Sequence, residues 1–520
     1  MSEAAQTVLD ACAAGGITDY VVCAGARNSS LVLSLVRAEG VNVWNHFEER
    51  GAGFFALGRT MDTGRPCVVV TTSGTAAAEL LPAVIEAHYQ GRPLVVITAD
   101  RPSVFRGSGA PQAIEQVGIF GEYVGGCLDL EGGGAEEVFE GWSGLIPWHV
   151  NVCLPEDGPV PEFGVVAEAV APKRKRPGVV ELAKFLKERV FEGVVVMVGG
   201  LEPEEREDVY HFLKDFGVPV LADATSGLRE VLGSLSMSDG DGLLKGRVPG
   251  KVLRLGDVPV GRFWRDLEEL TDVDVCSITR TGFSGLARES LVLHGRVDQV
   301  LRSLGKVQGL GDVLDHFELA RKRKAELDEL LERCPDSEPA LVRMLSTYAT
   351  LGESVFLGNS LPIREWNLVA QRESPNVDIR ANRGANGIDG QLCTWLGATA
   401  GLDGAWGVFG DLTTLYDLAA PALLAQAGGS GRVLVVINNG GGRIFERLPR
   451  LQGIGEEESK TMANAHQTGF VDWAKMWGMG HVRVDGVATF DFEPGEGTTV
   501  LEICPDEQQT AQFWEAYNKL

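Results

Sequence analysis

Residues 406–442 read WGVFGDLTTLYDLAAPALLAQAGGSGRVLVVINNGGG, and this stretch decides the fold class. It contains two short apolar runs, Trp406–Phe409 and Val433–Ile437, with a helical pattern over residues 412–427 between them. Apolar runs that alternate with helices are typical of parallel strands joined by helical crossovers. The stretch therefore predicts a βαβ unit of an α/β fold, in which the carboxyl ends of the two strands lie side by side.

Polar residues follow both predicted strands at those carboxyl ends. Gly410 and Asp411 follow the first strand, and Asn438 and Asn439 follow the second, with three glycines after them. Open α/β sheets bind their ligands at this edge. A carboxylate, an amide carbonyl and a glycine backbone carbonyl give the all-oxygen ligation that suits Mg²⁺ or Ca²⁺, and Mg²⁺ usually completes its shell with phosphates. The helix 412–427 is expected to add positive charge at its N-terminus. The sequence thus predicts a diphosphate held through a divalent metal.

The same alternation continues through all 520 residues, a length that favours about three domains. The predicted fold class is α/β, with three doubly wound parallel-sheet domains. Two runs are predicted domain boundaries: a basic run between prolines at 172–177 and a turn-rich run at 334–339. The predicted domains are therefore 1–172, 178–333 and 338–520. The sequence alone does not show whether the first and last domains are two copies of one architecture. The other predicted strands are Tyr20–Cys23, Val41–His46, Cys67–Thr71, Leu94–Thr98, Val194–Val198, Val218–Leu221, Val252–Leu255, Val273–Ile278, Ser354–Leu357 and Thr498–Ile503, and further helices are predicted over Gly74–Gln90 and Asp312–Arg333.

Composition excludes several classes of function. The formal net charge of −25 argues against a nucleic-acid-binding protein. No run approaches the ~20 apolar residues that cross a bilayer, and the first residues lack the pattern of a signal peptide. The nine cysteines are scattered without C-x-x-C spacing, which indicates free thiols in a reducing cytoplasm. We therefore expect a cytoplasmic protein without structural zinc.

Two adjacent glutamates stand where another predicted strand runs into a helix. Residues 46–58 read HFEERGAGFFALG, so Glu48 and Glu49 open a helix rich in small residues. Acids at this position are also ordinary complements of the helix dipole. From the residues alone, either carboxylate is a candidate for acid–base chemistry.

Gly-Asp followed one helix later by Asn-Asn resembles the cofactor motif of thiamin-diphosphate enzymes. In that family the metal ligands are the Asp, the second Asn and the carbonyl two residues later, which here are Asp411, Asn439 and Gly441. The segment around Glu49 is similar to the family's activating-glutamate segment, which implies that Glu49 hydrogen-bonds N1′ of the aminopyrimidine. Leu412 stands where many members have a second glycine. The resemblance also implies pyrimidine-binding, central and diphosphate-binding domains, and a homodimer or homotetramer in which Glu49 acts on the partner's cofactor.

Further segments narrow the resemblance to one family. They are 23–30 (CAGARNSS), 71–76 (TTSGTA), 98–102 (TADRP), 109–114 (GAPQAI), 358–364 (GNSLPIR), 382–390 (NRGANGIDG) and 443–445 (RIF). Together they closely resemble the menaquinone-pathway family of 2-succinyl-5-enolpyruvyl-6-hydroxy-3-cyclohexene-1-carboxylate synthases. That family decarboxylates 2-oxoglutarate on thiamin diphosphate with Mg²⁺ or Mn²⁺, then adds the succinyl-semialdehyde carbanion to isochorismate. Both substrates carry carboxylates, which arginine binds with two parallel hydrogen bonds.

The resemblance implies a set of site residues. Those on the cofactor side are Glu49, Ser73, Gly74, Ile388, Gly410, Asp411, Leu412, Asn439, Gly441 and Ile444. Those on the isochorismate side are Arg27, Arg101 and Gln112, with Arg262 as the basic candidate of the middle domain. Those on the oxoacid side are Asn359, Ser360, Arg364 and Arg383, with Phe445 as an apolar contact near the reacting centre.

Departures from the family pattern and two alternatives accompany this hypothesis. The family's usual Pro-Gly-Ser-Arg-Ser is Ala24–Asn28 here, and Pro111 replaces a common asparagine, which puts the binding of isochorismate in doubt.

One alternative keeps the cofactor and changes the substrate, as in another 2-oxoacid decarboxylase or an acetohydroxyacid-synthase-like carboligase. The other is a non-catalytic protein on an enzyme fold.

Overall fold

The computed structural model describes residues 3–132, 134–155, 158–164, 178–349, 354–373, 378–451 and 453–520. It contains three parallel sheets flanked by helices, which confirms the predicted α/β fold class. The basic run 173–176 and its flanking prolines lie outside the described residues. Among the described residues, no helix combines the length and the apolar character needed to cross a membrane.

The first sheet has six strands in the order β2-β1-β3-β4-β6-β5, all paired in parallel. Its strands are β1 (Asp19–Val22), β2 (Asn42–Asn45), β3 (Cys67–Thr71), β4 (Leu94–Asp100), β5 (Cys127–Leu130) and β6 (Trp148–Cys153). The central sheet has five strands in the order β11-β10-β9-β7-β8. They are β7 (Val194–Val198), β8 (Val220–Ala222), β9 (Lys251–Leu255), β10 (Asp274–Thr279) and β11 (Leu291–His294).

The last sheet has six parallel strands in the order β13-β12-β14-β15-β17-β16. They are β12 (Val355–Leu357), β13 (Ile379–Arg380), β14 (Trp406–Gly410), β15 (Val433–Ile437), β16 (Gly480–Val484) and β17 (Thr499–Ile503). Counted from the start of each sheet, this order is identical to that of the first sheet. The first and last sheets are therefore two copies of one topology, which the sequence alone did not show.

Helices cover both faces of the interior strands. All five residues of β15 are buried, and each buried Val or Ile contributes roughly 1.5–3 kcal/mol of transfer free energy. The helices are Glu3–Ala14, Ser29–Arg37, Glu49–Thr63, Thr75–Ala78, Leu81–Gln90, Val180–Phe185, Arg206–Phe216, Gly240–Gly246, Arg262–Asp266, Val297–Leu304, His316–Arg333, Glu338–Ala349, Leu361–Val369, Gln391–Ala398, Asp411–Tyr416, Leu424–Ala427, Glu456–Ala463, Val471–Met476 and Glu507–Tyr517.

Three predicted helices differ in the structure. The helix expected over Gly74–Gln90 is two helices, and Pro82 lies in the first turn of the second, where a missing N–H costs nothing. The helix expected over 412–427 is a six-residue helix, Asp411–Tyr416, followed by a 3₁₀ turn at Ala420–Leu423 and a short helix at Leu424–Ala427. Pro421 prevents one continuous helix because its ring clashes with the preceding turn. The helix expected over Asp312–Arg333 begins at His316 instead of Asp312. The Asp312 carboxylate accepts the Phe317 N–H at 2.7 Å.

Internal contacts divide the chain into two compact units. Unit 1 comprises Met1–Lys173, Gly384–Gly401 and Leu415–Gly429, and unit 2 comprises Arg174–Arg383, Leu402–Thr414 and Ser430–Leu520. The first sheet belongs to unit 1, and the central and last sheets belong to unit 2. Because two segments of the last third pack into unit 1, the limits of the three predicted domains stay a prediction.

Candidate active site

The predicted metal ligands lie at the carboxyl edge of the last sheet. Strands β14 and β15 are paired in register, Gly410 opposite Ile437, so the loops that follow them meet. Asp411 is buried, and its Oδ2 accepts the N–H groups of Gly440 and Gly441 at 2.8 and 2.9 Å, while its Oδ1 accepts the Leu412 N–H at 2.6 Å. The structure therefore brings together Asp411 and the loop that contains Asn439.

The oxygen atoms at this edge fit a hard cation. Asn439 Oδ1 is buried and has no hydrogen-bond partner, although its Nδ2 donates to Glu338 Oε2 at 3.0 Å. Burial raises the pKa of the Asp411 carboxyl, and a bound divalent cation would compensate this buried charge. No three His, Cys, Asp or Glu side chains within the described part of the chain form a ligand cluster. Carboxylate, amide and backbone oxygens, the donors that Mg²⁺ prefers, do meet at this edge.

Gly441 must be glycine for this loop to close. Its φ of 137° lies in the region that favours glycine, and a Cβ at this position would meet the Ala463 carbonyl oxygen at 2.5 Å. His466, which sequence reasoning missed, lies beside the loop with its Nε2 3.3 Å from Asp411 Oδ2. Its Nδ1 accepts the Thr468 N–H at 3.1 Å, so the neutral ring carries its proton on Nε2, facing the carboxylate.

The helix expected to support the diphosphate is shorter than predicted. It begins at Asp411 itself and has six residues, so its partial charge is smaller than that of the predicted helix 412–427. Gly410 and Leu412 flank Asp411, the predicted metal ligand. The Gly410 carbonyl accepts the Thr414 hydroxyl at 3.0 Å, which ties the strand end to the first turn.

The two candidate glutamates have different environments. Glu48 is the N-cap of the helix Glu49–Thr63, and its Oε2 accepts the Gly51 N–H at 2.8 Å. Glu49 is the first residue of that helix, and burial raises its pKa, with the charges of Glu48 and Glu79 adding to the effect. Because Glu48 is engaged as the cap, Glu49 is the carboxyl better suited to proton exchange.

The loop that contains Ser73 and Gly74 lies in the same unit. Gly74 has φ 84° and ψ −138°, and its N–H donates to Gln116 Oε1 at 3.0 Å. A Cβ on Gly74 would lie 3.2 Å from the Cα of Gln112, so these two predicted residues are neighbours. Gln116 is fully buried and was missed by sequence reasoning, because nothing local marks it as a loop anchor.

Glu86 and Asp417 hold the loop that contains Ile388, and neither was predicted. The buried Glu86 carboxylate accepts the N–H groups of Gly384, Ala385 and Asn386 at 2.6, 2.7 and 3.2 Å. Asp417 accepts the N–H groups of Gly390 and Leu392 at 2.8 and 3.0 Å, and it pairs with Arg50 at 3.2 Å. Ile388 is half-buried between these two anchors.

The predicted oxoacid residues form a cluster of cations in unit 2. Arg364 is largely buried and its Nη1 donates to the Ser360 carbonyl at 2.5 Å, while Arg383 donates to Asn359 Oδ1 at 2.9 Å. Burial and then the charges of Arg383, Arg265 and Arg447 lower the pKa of Arg364 to about 10. Ser360 has φ 72° and ψ −125°, which is a strained conformation for a residue with a side chain. Residues in strained conformations are often found at functional sites. This cluster is suited to binding an anion.

Arg262 is not part of this cluster. Its side chain is 58% exposed and lies 3.5 Å from Asp266, whereas Arg265 is the residue whose charge acts on Arg364. Arg265 lies three residues further along the same helix, and the sequence alone does not reveal which of the two charges acts on Arg364. Ile444 and Phe445 lie half-buried in the 3₁₀ turn Arg443–Arg447, consistent with apolar contacts.

The predicted isochorismate residues lie in unit 1. Arg27 is buried and donates to the Leu154 carbonyl at 3.1 Å. Arg101 directly follows β4, and its Nε donates to the Pro111 carbonyl at 2.9 Å, which places it in the same loop as Gln112. Gln112 is exposed and adopts φ 57°. The structure thus joins Arg101 to the Gln112 loop.

Comparisons with known proteins identify the family. Residues 2–119 match the family model described as "Thiamine pyrophosphate enzyme, N-terminal TPP binding domain". A 2-succinyl-5-enolpyruvyl-6-hydroxy-3-cyclohexene-1-carboxylate synthase of Akkermansia muciniphila is 47% identical over 517 residues, covering 98% of this chain and 97% of the relative. The chain belongs to this synthase family. Synthases of the same name from Bdellovibrio bacteriovorus (38% identical, 97% of this chain and 96% of the relative) and Geobacillus thermodenitrificans (30%, 87% and 84%) also match.

Proposed function

We propose that this chain decarboxylates 2-oxoglutarate with thiamin diphosphate and adds the resulting succinyl unit in 1,4-fashion to isochorismate. The products are 2-succinyl-5-enolpyruvyl-6-hydroxy-3-cyclohexene-1-carboxylate and CO₂, a step of menaquinone or phylloquinone biosynthesis. The observation that carries the proposal is the cation cluster around Arg364, which one would expect where a dicarboxylate binds. Within it, Arg364 and Arg383 come after β12 and β13, strands of the same sheet that supplies Asp411 and Asn439.

The residues of the last sheet would hold the cofactor. Asp411, Asn439 Oδ1 and the Gly441 carbonyl would bind Mg²⁺ or Mn²⁺, and the metal would hold the diphosphate. Gly410, Leu412, Ile388 and Ile444 would contact the cofactor, with Ser73 and Gly74 on the pyrimidine side. When bound, thiamin diphosphate supplies the nucleophilic carbon and accepts the electrons released by decarboxylation.

Glu49 would exchange a proton with N1′ of the aminopyrimidine. Burial raises the pKa of Glu49, which brings the carboxyl nearer to the pH at which it can both donate and accept a proton. Glu49 is half-buried, which limits the access of water to its carboxyl. No other carboxylate is proposed for this role, because Glu48 caps the helix.

The substrates would be held by separate groups of residues. Arg364 and Arg383, oriented by Ser360 and Asn359, would bind the carboxylates of 2-oxoglutarate through paired hydrogen bonds. Arg27, Arg101 and Gln112 would bind isochorismate, and Phe445 would form an apolar wall near the reacting carbon. Arg262 remains the predicted contribution of the middle domain, although its side chain faces solvent.

The assembly would be a homodimer or homotetramer in the cytoplasm, with active sites at the subunit interface. Glu49 of one subunit would then act on the cofactor held by its partner. Two exposed aromatic side chains support this assembly. Phe47, two residues before Glu49, is 67% exposed, and Tyr416 is 57% exposed. A second copy of the chain would cover this apolar surface. All nine cysteines are free thiols, as expected in a reducing compartment.

A coupled assay tests the function. The purified protein is incubated with 2-oxoglutarate, isochorismate, thiamin diphosphate and Mg²⁺, and the absorbance of isochorismate and the release of CO₂ are followed. We expect isochorismate to disappear only when 2-oxoglutarate is present, with one CO₂ released per molecule consumed. Turnover of pyruvate in place of 2-oxoglutarate would instead favour another 2-oxoacid decarboxylase or carboligase. Absence of thiamin-diphosphate binding in calorimetry would favour a non-catalytic protein.

A further inference from the structure

A buried series of polar contacts runs behind the metal-binding edge of the last sheet. Asn439 Nδ2 donates to Glu338 Oε2 at 3.0 Å, and Glu338 begins the helix Glu338–Ala349. Glu365 lies beside Glu338 and accepts a hydrogen bond from Arg447 Nη2 at 2.7 Å. The Arg447 guanidinium lies 3.6 Å from the centre of the Trp514 ring. None of these contacts was predicted from the sequence.

The two ends of an asparagine amide are not equivalent toward a cation. Oδ1 can ligate a metal, whereas Nδ2 carries two hydrogens and cannot. The two ends have nearly the same shape, so packing alone does not select one orientation. A carboxylate oxygen accepts hydrogen bonds, so Glu338 draws Nδ2 toward itself. In this structure Asn439 Oδ1 is left buried and without a partner, in the orientation that a metal ligand requires.

Glu338 is fixed well enough to impose this orientation. It is 2% exposed, and its backbone N–H donates to Thr510 Oγ1 at 3.0 Å. Glu365 and Arg447 close its other side, with Arg447 supplying positive charge to the two carboxyl groups. Since its Oε2 accepts the hydrogen bond from Nδ2, Glu338 would act on a bound metal through Asn439.

We propose that Glu338 is a positioning residue that fixes the amide of Asn439 with Oδ1 toward the divalent cation. This inference rests on the proposed metal site at Asp411 and Asn439. Partners of metal ligands typically change metal affinity about 10–100-fold when they are removed. Without Glu338, the amide would be free to turn its Nδ2 toward the cation.

The test measures Mn²⁺ affinity directly in the full-length protein with saturating thiamin diphosphate, from the electron paramagnetic resonance signal of free Mn²⁺. Glu338→Met keeps the volume and removes the acceptor, and we expect about tenfold weaker binding. Glu338→Gln keeps an acceptor oxygen and should retain most of the Mn²⁺ affinity. Glu338→Asp keeps the charge but has a shorter side chain, and it should weaken Mn²⁺ binding. It provides a second test in case Glu338→Met does not fold. Glu205→Gln changes another buried glutamate, in the central sheet region, and should leave Mn²⁺ affinity unchanged.

A double-mutant cycle separates positioning from a general structural effect. In an Asn439→Ala background, Glu338→Met should cause no further loss of Mn²⁺ affinity, because no amide remains to be oriented. An equal loss in both backgrounds, or a normal affinity in Glu338→Asp, would overturn the inference. If Asp411→Ala leaves Mn²⁺ affinity unchanged, the proposed metal site itself is wrong. That result differs from equal losses in the two backgrounds, which would contradict only the role of Glu338.

Discussion

The first and last sheets have the same strand order but different side chains at the corresponding strand ends. At the carboxyl end of the third strand, the first sheet has Ser73-Gly74 and the last has Gly410-Asp411. At the carboxyl end of the fourth strand, the first has Asp100-Arg101 and the last has Asn438-Asn439. The topology is therefore shared, while the oxygens proposed to bind the metal lie at the edge of the last sheet. Function lies in the residues placed on the edge and not in the fold itself.

The second strand of each sheet shows the same divergence. Strand β2 leads to Glu48 and Glu49, whereas β13 leads to Asn382 and Arg383. In the proposed reaction one copy of the topology exchanges a proton with the cofactor, and the other holds the cofactor's diphosphate and the substrate's carboxylates. Changes at Glu49 should therefore affect turnover, whereas changes at Asp411 and Arg364 should affect the binding of the cofactor and of 2-oxoglutarate.

The largest expected effect is that of Glu49→Gln. Glutamine cannot exchange a proton, so kcat should fall by at least about 10²-fold while thiamin-diphosphate affinity stays largely intact. Steady-state kinetics and calorimetry measure the two quantities. A variant that turns over normally, or one that no longer binds the cofactor, would break the division of roles between the two sheets.

Asp411→Ala should have the opposite profile. Loss of a carboxylate ligand should weaken Mg²⁺-dependent cofactor binding at least about tenfold, as measured by calorimetry. Chelation of Mg²⁺ from the unmodified protein should release the cofactor in the same way. If cofactor affinity survives both treatments and only kcat falls, the diphosphate is not held through a metal at this edge.

Arg364→Met should raise KM for 2-oxoglutarate. The loss of a charge-assisted hydrogen bond to a carboxylate costs about 1.5–3 kcal/mol, which corresponds to about a 10–100-fold change. Arg262→Met is the informative comparison, because that side chain is exposed and lies beside Asp266. An equal effect of both substitutions on KM for 2-oxoglutarate would place Arg262 beside that substrate as well and weaken the role of the cation cluster.

Glu86→Gln should have a smaller effect, because it replaces one of the two carboxylate oxygens that accept three loop N–H groups. We expect kcat/KM to fall about fivefold, or about 1 kcal/mol. Amide hydrogen exchange at Gly384–Asn386 should accelerate at the same time. A loss of activity with unchanged exchange would mean that Glu86 does not act by holding this loop.

Glu48→Ala should have the smallest effect on turnover. Loss of the N-cap costs about 1 kcal/mol of local helix stability, seen as faster exchange of the Gly51 amide. Turnover should stay near normal because Glu49 is retained. A loss of turnover as large as that of Glu49→Gln would reverse the assignment of the two glutamates.

Much of the fold could be predicted from the sequence because the buried strands are local apolar runs. Strands β3, β7 and β15 have the predicted limits. The strands that were missed are mostly edge strands, such as β5, β11 and β16, whose half-exposed residues give no continuous apolar run. The buried strand β6 was missed because His149 and Asn151 interrupt its apolar pattern with side chains whose partners are distant in sequence.

The sequence by itself determined the α/β class, the Gly-Asp and Asn-Asn loops at one edge, and the pair of adjacent glutamates, since each is a local pattern. Only the tertiary structure decided that Glu48 is the cap and that the charges of Arg383, Arg265 and Arg447 act on Arg364. It also decided that the Asn439 amide donates its Nδ2 to Glu338 and leaves its Oδ1 without a partner. These choices depend on hydrogen bonds and charges between residues far apart in the chain, such as Glu338 and Asn439, and no periodicity or spacing encodes them.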